Sequence, residues 1–288
     1  MAIKNDSLGN LRLLNVGLSS HVNDWTYFNV ESPFSRLYLV VKGEAIVNIY
    51  GRDHRLLPGN IYLIPPFTSH SNRCTGSFSH YYLHVYEDIV SGESIFEQLA
   101  FPFQLPSRHF DITLFETLCE HNEQMKLKSK DPKVYDNNSS LIKYMRRNRE
   151  RPLADKLESS GIISFLMSRF VREAIPRFNI HDPRITKVLR IINNDLSATP
   201  SIEALAAEAC LCTDHFIRLF REKTGMTPLH YINQKKIMKA QFFLATSDMS
   251  IKEIARITGY NDVPYFYRVF RRFTLQSPLQ YRESFNKI

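Results

Sequence analysis

The chain has 288 residues, too many for one ordinary domain and enough for two. Hydrophobic residues at 43% and charged residues at 23% exclude a disordered or fibrous chain, and no apolar run nears the roughly 18 residues that span a bilayer. The net charge of +8 is lopsided: residues 182–288 hold 16 Lys/Arg against 10 Asp/Glu and the first 181 hold 21 against 19, so a polyanion partner is expected for the last third.

The N-terminus, Met1-Ala2-Ile3-Lys4-Asn5-Asp6, has no apolar core leading to a small-residue cleavage site, so no secretory signal is expected. Four scattered cysteines (Cys74, Cys119, Cys210, Cys212) fit a reducing compartment, and the cytoplasm is the expected location.

Residues from about 10 to 86 read as β. Segments 36–42, 45–50, 61–64 and 81–85 are rich in β-branched and aromatic residues. Gly43-Glu44, Gly51-Arg52-Asp53 and Leu57-Pro58-Gly59-Asn60 punctuate them. Short strands at regular spacing predict a sandwich or barrel. Alternation along the last segment places His80, Tyr82 and His84 on one face and Tyr81, Leu83 and Val85 on the other. A face of rings and imidazoles suits a hydroxylated ligand such as a sugar. Arg36 and Tyr38 share a face in the same way, and Trp25 is the one tryptophan. The alternative is that this face is the solvated outside of the barrel.

Residues from about 111 to 175 read as helical. Ile112, Phe115, Leu118, Cys119 and Met125 mark one apolar face, and Leu153, Leu157, Phe165, Leu166 and Phe170 a second. The basic stretch 126–151 between them reads as a loop with a short helix. Segment 176–183, with a proline at each end and no periodicity, reads as a linker. Beyond it Ile185, Val188, Leu189, Ile192 and Leu196 form the buried stripe of another helix.

The last third repeats itself. Phe216-Ile-Arg218-Leu-Phe220-Arg221 matches Phe266-Tyr-Arg268-Val-Phe270-Arg271 at an offset of 50, as Pro228 matches Pro278 and Tyr231 matches Tyr281. Upstream, Leu205-Ala206 matches Ile254-Ala255 at an offset of 49, so the slip falls in a turn, where one extra residue rotates no buried face. Each copy reads as a short helix, a turn and a longer helix, with Gly225 as a left-handed stop, Ser250 and Glu253 as a capping box, and Asp262 as a cap. This geometry delivers a second helix into a DNA major groove. With the paired phenylalanines buried, Thr213, Asp214, Ile217 and Arg218 in the first copy, and Val263, Pro264, Tyr267 and Arg268 in the second, face outward as base readers. Arg221, Lys223, Lys236, Arg271 and Arg272 are placed for phosphates.

The run Gly259-Tyr260-Asn261-Asp262-Val263-Pro264-Tyr265-Phe266-Tyr267-Arg268-Val269-Phe270-Arg271-Arg272, followed by Pro278-Leu-Gln-Tyr281-Arg282, closely resembles the DNA-binding domain of AraC/XylS-type transcription regulators. The resemblance covers about 100 residues. It implies seven helices, with 228–244 as the long joining helix. One departure is Leu275, where the family often has glycine, so the second unit is expected to end differently from the first.

Upstream, Val41-Lys42-Gly43-Glu44-Ala45, the run Leu57 to Pro66, and His70 resemble the cupin-type sensor domain of the same family. The resemblance implies a multi-domain α+β chain: a cupin-like effector-binding barrel (1–105), a helical dimerisation segment (106–175), the linker (176–183) and a DNA-binding domain with two helix-turn-helix units (184–288). It also implies a homodimer, double-stranded DNA and RNA polymerase as partners, and a small-molecule effector, with activation as the usual output. The candidate effector residues are Trp25, Arg36, Tyr38, His70, His80 and Tyr82. The alternative is an effector-independent regulator whose barrel only dimerises or binds a protein. No metal, cofactor or catalytic group is expected: of the cupin metal ligands only His70 has a counterpart, and one imidazole does not hold a catalytic metal. Cys210-x-Cys212 lacks two further ligands at zinc spacing and reads as part of a tight turn.

Overall fold

The protein is described as a computed structural model, which covers residues 11–88, 94–177 and 182–284. Residues 178–181 of the expected linker lie outside the described residues. The described chain divides into an N-terminal unit ending at Ile175 and a C-terminal unit beginning at Pro176.

The N-terminal unit begins with eight strands: β1 (Leu11–Val22), β2 (Tyr27–Val30), β3 (Ser35–Gly43), β4 (Ala45–Ile49), β5 (Arg52–Leu56), β6 (Asn60–Ile64), β7 (His70–Arg73) and β8 (Ser77–Glu87). After α1 (Ile95–Gln98) and the two-residue β9 (Leu99–Ala100), β10 (Gln104–Pro106) completes an antiparallel sheet in the order β1-β8-β3-β6-β10. A second sheet runs β2-β7-β4-β5. Between the two sheets lies a core that includes Trp25, Tyr38, Val47, Tyr62, Phe78 and Tyr82.

The helices that follow are α2 (His109–His121), α3 (Pro132–Tyr135), α4 (Asn138–Glu150) and α5 (Leu153–Glu173), then the short β11 (Ile175–Pro176). Helices α2 and α5 cover the outer face of the five-stranded sheet, where Leu83, Val85 and Leu37 meet Phe115, Leu118, Leu166 and Phe170. Both faces of β8 are therefore buried, and the solvated-outside alternative does not hold.

Three helical expectations need correction. Stretch 126–151 is more than a loop with a short helix, because α4 alone has thirteen residues. Its buried Leu141, Tyr144, Met145 and Asn148 recur at three- and four-residue steps, hidden in the sequence by the basic residues of the opposite face. The stripe named for α5 is half wrong: Leu153, Leu157 and Phe165 are exposed, and Ile162, Ile163 and Met167 join Leu166 and Phe170 against the sheet. Met125 is buried in a 3-10 turn beyond the end of α2, while Ile112 is exposed.

The C-terminal unit is all helical: α6 (Pro183–Asn194), α7 (Ile202–Glu208), α8 (Thr213–Thr224), α9 (Pro228–Thr246), α10 (Ile251–Ile257), α11 (Val263–Thr274) and α12 (Pro278–Ser284). Helix α6 buries Ile185, Val188, Leu189 and Ile192 and ends before Leu196, which lies half-buried in the following loop. Asp182 caps it, accepting from the Arg184 N–H at 3.0 Å, and Pro183 occupies the first turn, where its missing N–H leaves nothing unsatisfied.

Candidate functional site

The two repeats fold alike up to a slip confined to one turn. Helix α7 ends at Glu208 and α10 at Ile257, but α8 begins at Thr213 and α11 at Val263. Both short helices close in the same way: Cys210 (φ 56°) and Gly259 (φ 79°) are left-handed. The N–H groups one residue on, from Leu211 and Tyr260, donate to Ala206 O (3.0 Å) and Ala255 O (2.9 Å). One residue then separates Cys210 from the N-cap Cys212, whereas Tyr260 and Asn261 separate Gly259 from the N-cap Asp262. The extra residue is absorbed where it disturbs no buried face.

Phe216 and Phe220 in α8, and Phe266 and Phe270 in α11, have no exposed surface. That fixes what the helices present. Asp214, Arg218, Arg221, Pro264, Arg268, Arg271 and Arg272 are exposed; Thr213, Ile217, Lys223, Val263 and Tyr267 are half-buried beside them. Among the described residues none of the guanidinium groups of these five arginines has an ion-pair or hydrogen-bond partner. Lys223 pairs with the neighbouring Glu222 at 2.6 Å. The Arg268 guanidinium lies 5.7 Å from the Tyr265 ring centroid, which steadies it without using its donors. An unpaired guanidinium offers a planar fork that matches the edge of guanine or a phosphate.

The second unit was expected to end differently at Leu275, and it does not. Leu275 takes the left-handed conformation at φ 61°, as Gly225 does at φ 79°. Its N–H donates to Arg271 O at 2.9 Å, and its side chain is 86% exposed. The strain is about 1 kcal/mol, little enough for a closed helix end to offset.

Lys236, expected on phosphates, is placed elsewhere. It is 9% exposed, and its Nζ donates to Gly259 O at 2.9 Å. The sequence shows only a basic residue on a helix; which face of α9 is buried follows from the helices on both sides of it.

The N-terminal unit holds a cavity of about 150 Å³. A cavity of roughly this size accommodates a benzene-sized ligand. Tyr38, His80 and Tyr82 line it from their strands, and Trp25 from the loop between β1 and β2. Arg36 and His70 do not. Arg36 is 1% exposed behind the wall, where Nη2 donates to Asp136 Oδ2 (2.5 Å) and Nη1 to Tyr135 Oη (2.8 Å). His70 is buried, with Nδ1 2.9 Å from Thr68 O, so the proton sits on Nδ1 and the ring is turned toward its own loop.

The rest of the wall includes residues not singled out as ligands: Ser19, His21 and His84 from the strands, and Leu127, Lys130 and Tyr135 from the segment leading into α4. Ser19 and His21 alternate along β1, a signal readable in the sequence, but the flanking residues of that strand are buried on both faces and mask its period. Nothing in the sequence places Tyr135 there.

The polar groups of this wall are set by burial. Arg36 Nη1 lies 3.2 Å from His84 Nε2 and is always a donor, so His84 carries its proton on Nδ1. Burial, with Arg36 nearby, holds the His84 ring well below its ordinary pKa; burial does the same for His80, and to a lesser degree for His21. His80 is 2% exposed, and among the described residues its Nδ1 has no hydrogen-bond partner. A buried imidazole nitrogen left unpaired is unfavourable, and in a ring that lines a cavity a bound hydroxyl is the kind of group that satisfies it. The Tyr82 hydroxyl accepts from the Leu127 N–H at 2.9 Å, and burial raises its pKa to about 12. Gly17, opposite Tyr82 on β1, makes room for that phenol, since a Cβ there would sit 2.4 Å from Tyr82 Oη.

The helix-turn-helix domain family matches residues 205–284. The arabinose operon regulatory protein of Salmonella typhimurium is 24% identical over 278 residues, covering 90% of this chain and 89% of that protein. The regulatory protein PocR of the same organism is 33% identical over 107 residues, 37% of this chain and 35% of that protein. Among solved structures, the DNA-binding domain of AdpA in complex with a target DNA is 31% identical and covers 36% of this chain and 93% of that domain, with a TM-score of 0.35.

Proposed function

We propose that this chain, whose last third matches the helix-turn-helix domain family and which resembles an arabinose operon regulatory protein along most of its length, is an AraC-type transcription regulator whose reading of DNA is governed by a small hydroxylated ligand in the N-terminal cavity and by pairing of two copies. It is a DNA-binding regulator and not an enzyme. The observation that carries the ligand proposal is His80, a neutral imidazole with an unpartnered nitrogen in a wall that also offers Trp25, Tyr38 and Tyr82. Rings stack on the C–H face of a sugar and imidazoles bond its hydroxyls, and the buried positive charge of Arg36 is already matched by Asp136.

Pairing is assigned to the helical segment 106–175, between the barrel (1–105) and the linker (176–183) that precedes the DNA-binding domain (184–288). Phe110 and Phe165 are 55% and 42% exposed and touch edge to face at 5.6 Å, and Leu153 and Leu157 add apolar surface on α5. Exposed apolar surface of this kind supports placing the pairing interface here. Each domain reads through Thr213, Asp214, Ile217, Arg218, Val263, Pro264, Tyr267 and Arg268, with Arg221, Lys223, Arg271 and Arg272 on phosphates. Occupancy of the cavity changes which half-sites the paired domains reach, a coupling between distinct sites. The output is activation through RNA polymerase, in the cytoplasm; among the described residues no helix is long and apolar enough to cross a membrane.

The test is a thermal-shift and tryptophan-fluorescence screen of neutral sugars and related polyols on the full chain. Trp25, the single tryptophan, is in the cavity wall and reports occupancy there. A binding sugar should raise the melting temperature in a concentration-dependent way, and His80→Phe should abolish the shift. A shift that survives His80→Phe would place the ligand elsewhere.

A further inference from the structure

Lys236 lies on α9, the helix that joins the two helix-turn-helix units, and burying an ammonium is unfavourable unless fixed oxygens replace its water. Its Nζ donates to Gly259 O at 2.9 Å and lies 5.4 Å from the Tyr260 ring centroid. Gly259 and Tyr260 form the turn of the second unit. Against the same turn lie the carbonyl oxygens of Leu196 and Ser197: a Cβ built on Gly259 would sit 2.8 Å and 2.7 Å from them, and 2.7 Å from Lys236 Nζ. Those two carbonyls belong to the loop between α6 and α7, part of the first unit. Asp195 shapes that loop, accepting on Oδ1 from Ser197 N (2.9 Å), Ser197 Oγ (2.5 Å) and Ala198 N (3.2 Å). A loop of the first unit and the buried ammonium of the helix between the units thus both pack on Gly259, in the turn of the second.

We propose that Lys236 is a positioning residue that fixes the spacing of the two reading helices by tying the joining helix α9 to the Gly259 turn, on which the Leu196–Ser197 loop packs, and that it makes no phosphate contact. The proposal rests on the reading that both units enter DNA. Two helices aimed at successive major grooves, about 34 Å apart, tolerate little play: one inserted base pair moves the second groove by about 3.4 Å and rotates it by roughly a tenth of a turn. A rigid clamp turns that mismatch into lost affinity. A loose one lets the second unit follow the groove and lose the discrimination.

The experiment measures binding of the full chain to four duplexes: the selected site, the same site with one base pair inserted between its halves, and each half with the other scrambled. Lys236→Met and Asp195→Ala are compared with the parent. The parent should lose about tenfold or more on the insertion, because the second contact stops being intramolecular in effect. In both variants that penalty should shrink below about threefold, while affinity for each half alone, and its base preferences, stay within about twofold. Asp195 is on the surface, so its substitution keeps the test decisive if Lys236→Met fails to fold. An unchanged penalty in the variants overturns the clamp. So does a uniform loss on all four duplexes with the salt slope reduced by about one, the mark of a lost phosphate contact. A parent without any spacing penalty overturns the two-groove reading itself, and the clamp with it.

Discussion

The guanidinium of Arg36 on β3 is bonded at 2.5 Å to the carboxylate of Asp136, a hundred residues later in the turn between α3 and α4. Both side chains are almost wholly buried. Ser32 Oγ also donates to Asp136 Oδ2 at 2.5 Å, and Tyr135 and His84 take the other Arg36 nitrogen. Burial pushes the Asp136 carboxyl up to about 6, against the pull of Arg36 and Ser32, so at neutral pH the pair is still ionised. The pair ties the cavity wall at Tyr135 to the barrel.

Asp136→Ala should therefore destabilise the N-terminal unit by about 3–5 kcal/mol, because it strands a buried guanidinium. Denaturant unfolding followed by Trp25 emission reads this unit, since the only tryptophan lies in it. The double variant Arg36→Met with Asp136→Leu should recover part of the loss. A single variant within about 1 kcal/mol of the parent would show the pair to be solvated.

Acid should weaken the same unit. Burial holds His80 and His84 well below 6.5 and His70 at about 3, so these rings stay neutral when folded and take up protons on unfolding. A depressed histidine contributes stability that is complete above 6.5 and is lost as pH falls below it. Asp136 acts in the opposite sense: with its carboxyl raised to about 6, the folded state binds a proton between about 4 and 6 that the unfolded state releases. The depressed histidines outnumber the one raised carboxyl, so unfolding takes up protons net and the unit loses stability as pH falls from 7 toward 5. Unfolding midpoints of Trp25 emission at pH 7, 6 and 5 measure it. A midpoint that is flat or rises toward pH 5 contradicts the account.

The C-terminal unit was legible because its signal is local. A helix-turn-helix repeat is written in caps, a turn and an i, i+4 pair of buried phenylalanines, all within about twenty residues, and the one-residue slip was placed in the turn on that evidence alone. Leu275 misled because a preference of about 1 kcal/mol yields to a helix end closed by Thr274 and Arg271. The cavity was half legible. Period-two alternation found His80, Tyr82 and Tyr38, but a strand says nothing about what stands behind it, so Arg36 was assigned to a ligand when Asp136 already holds it. Lys236 was misassigned for the same reason: charge is visible in a sequence, and the carbonyl that receives it is not.

Everything functional depends on the exposed arginines of α8 and α11 meeting DNA. The most direct measurement is the affinity of the full chain for a selected duplex, base pair by base pair, for the parent, Arg218→Ala and Arg268→Ala. Each substitution should weaken the selected site by about 1–3 kcal/mol and erase preference at one base position, a different one for each variant. Arg271→Ala should instead weaken every sequence alike and lower the salt slope by about one. Affinity and base preference unchanged in both Arg218→Ala and Arg268→Ala would contradict the claim that these two helices read the duplex.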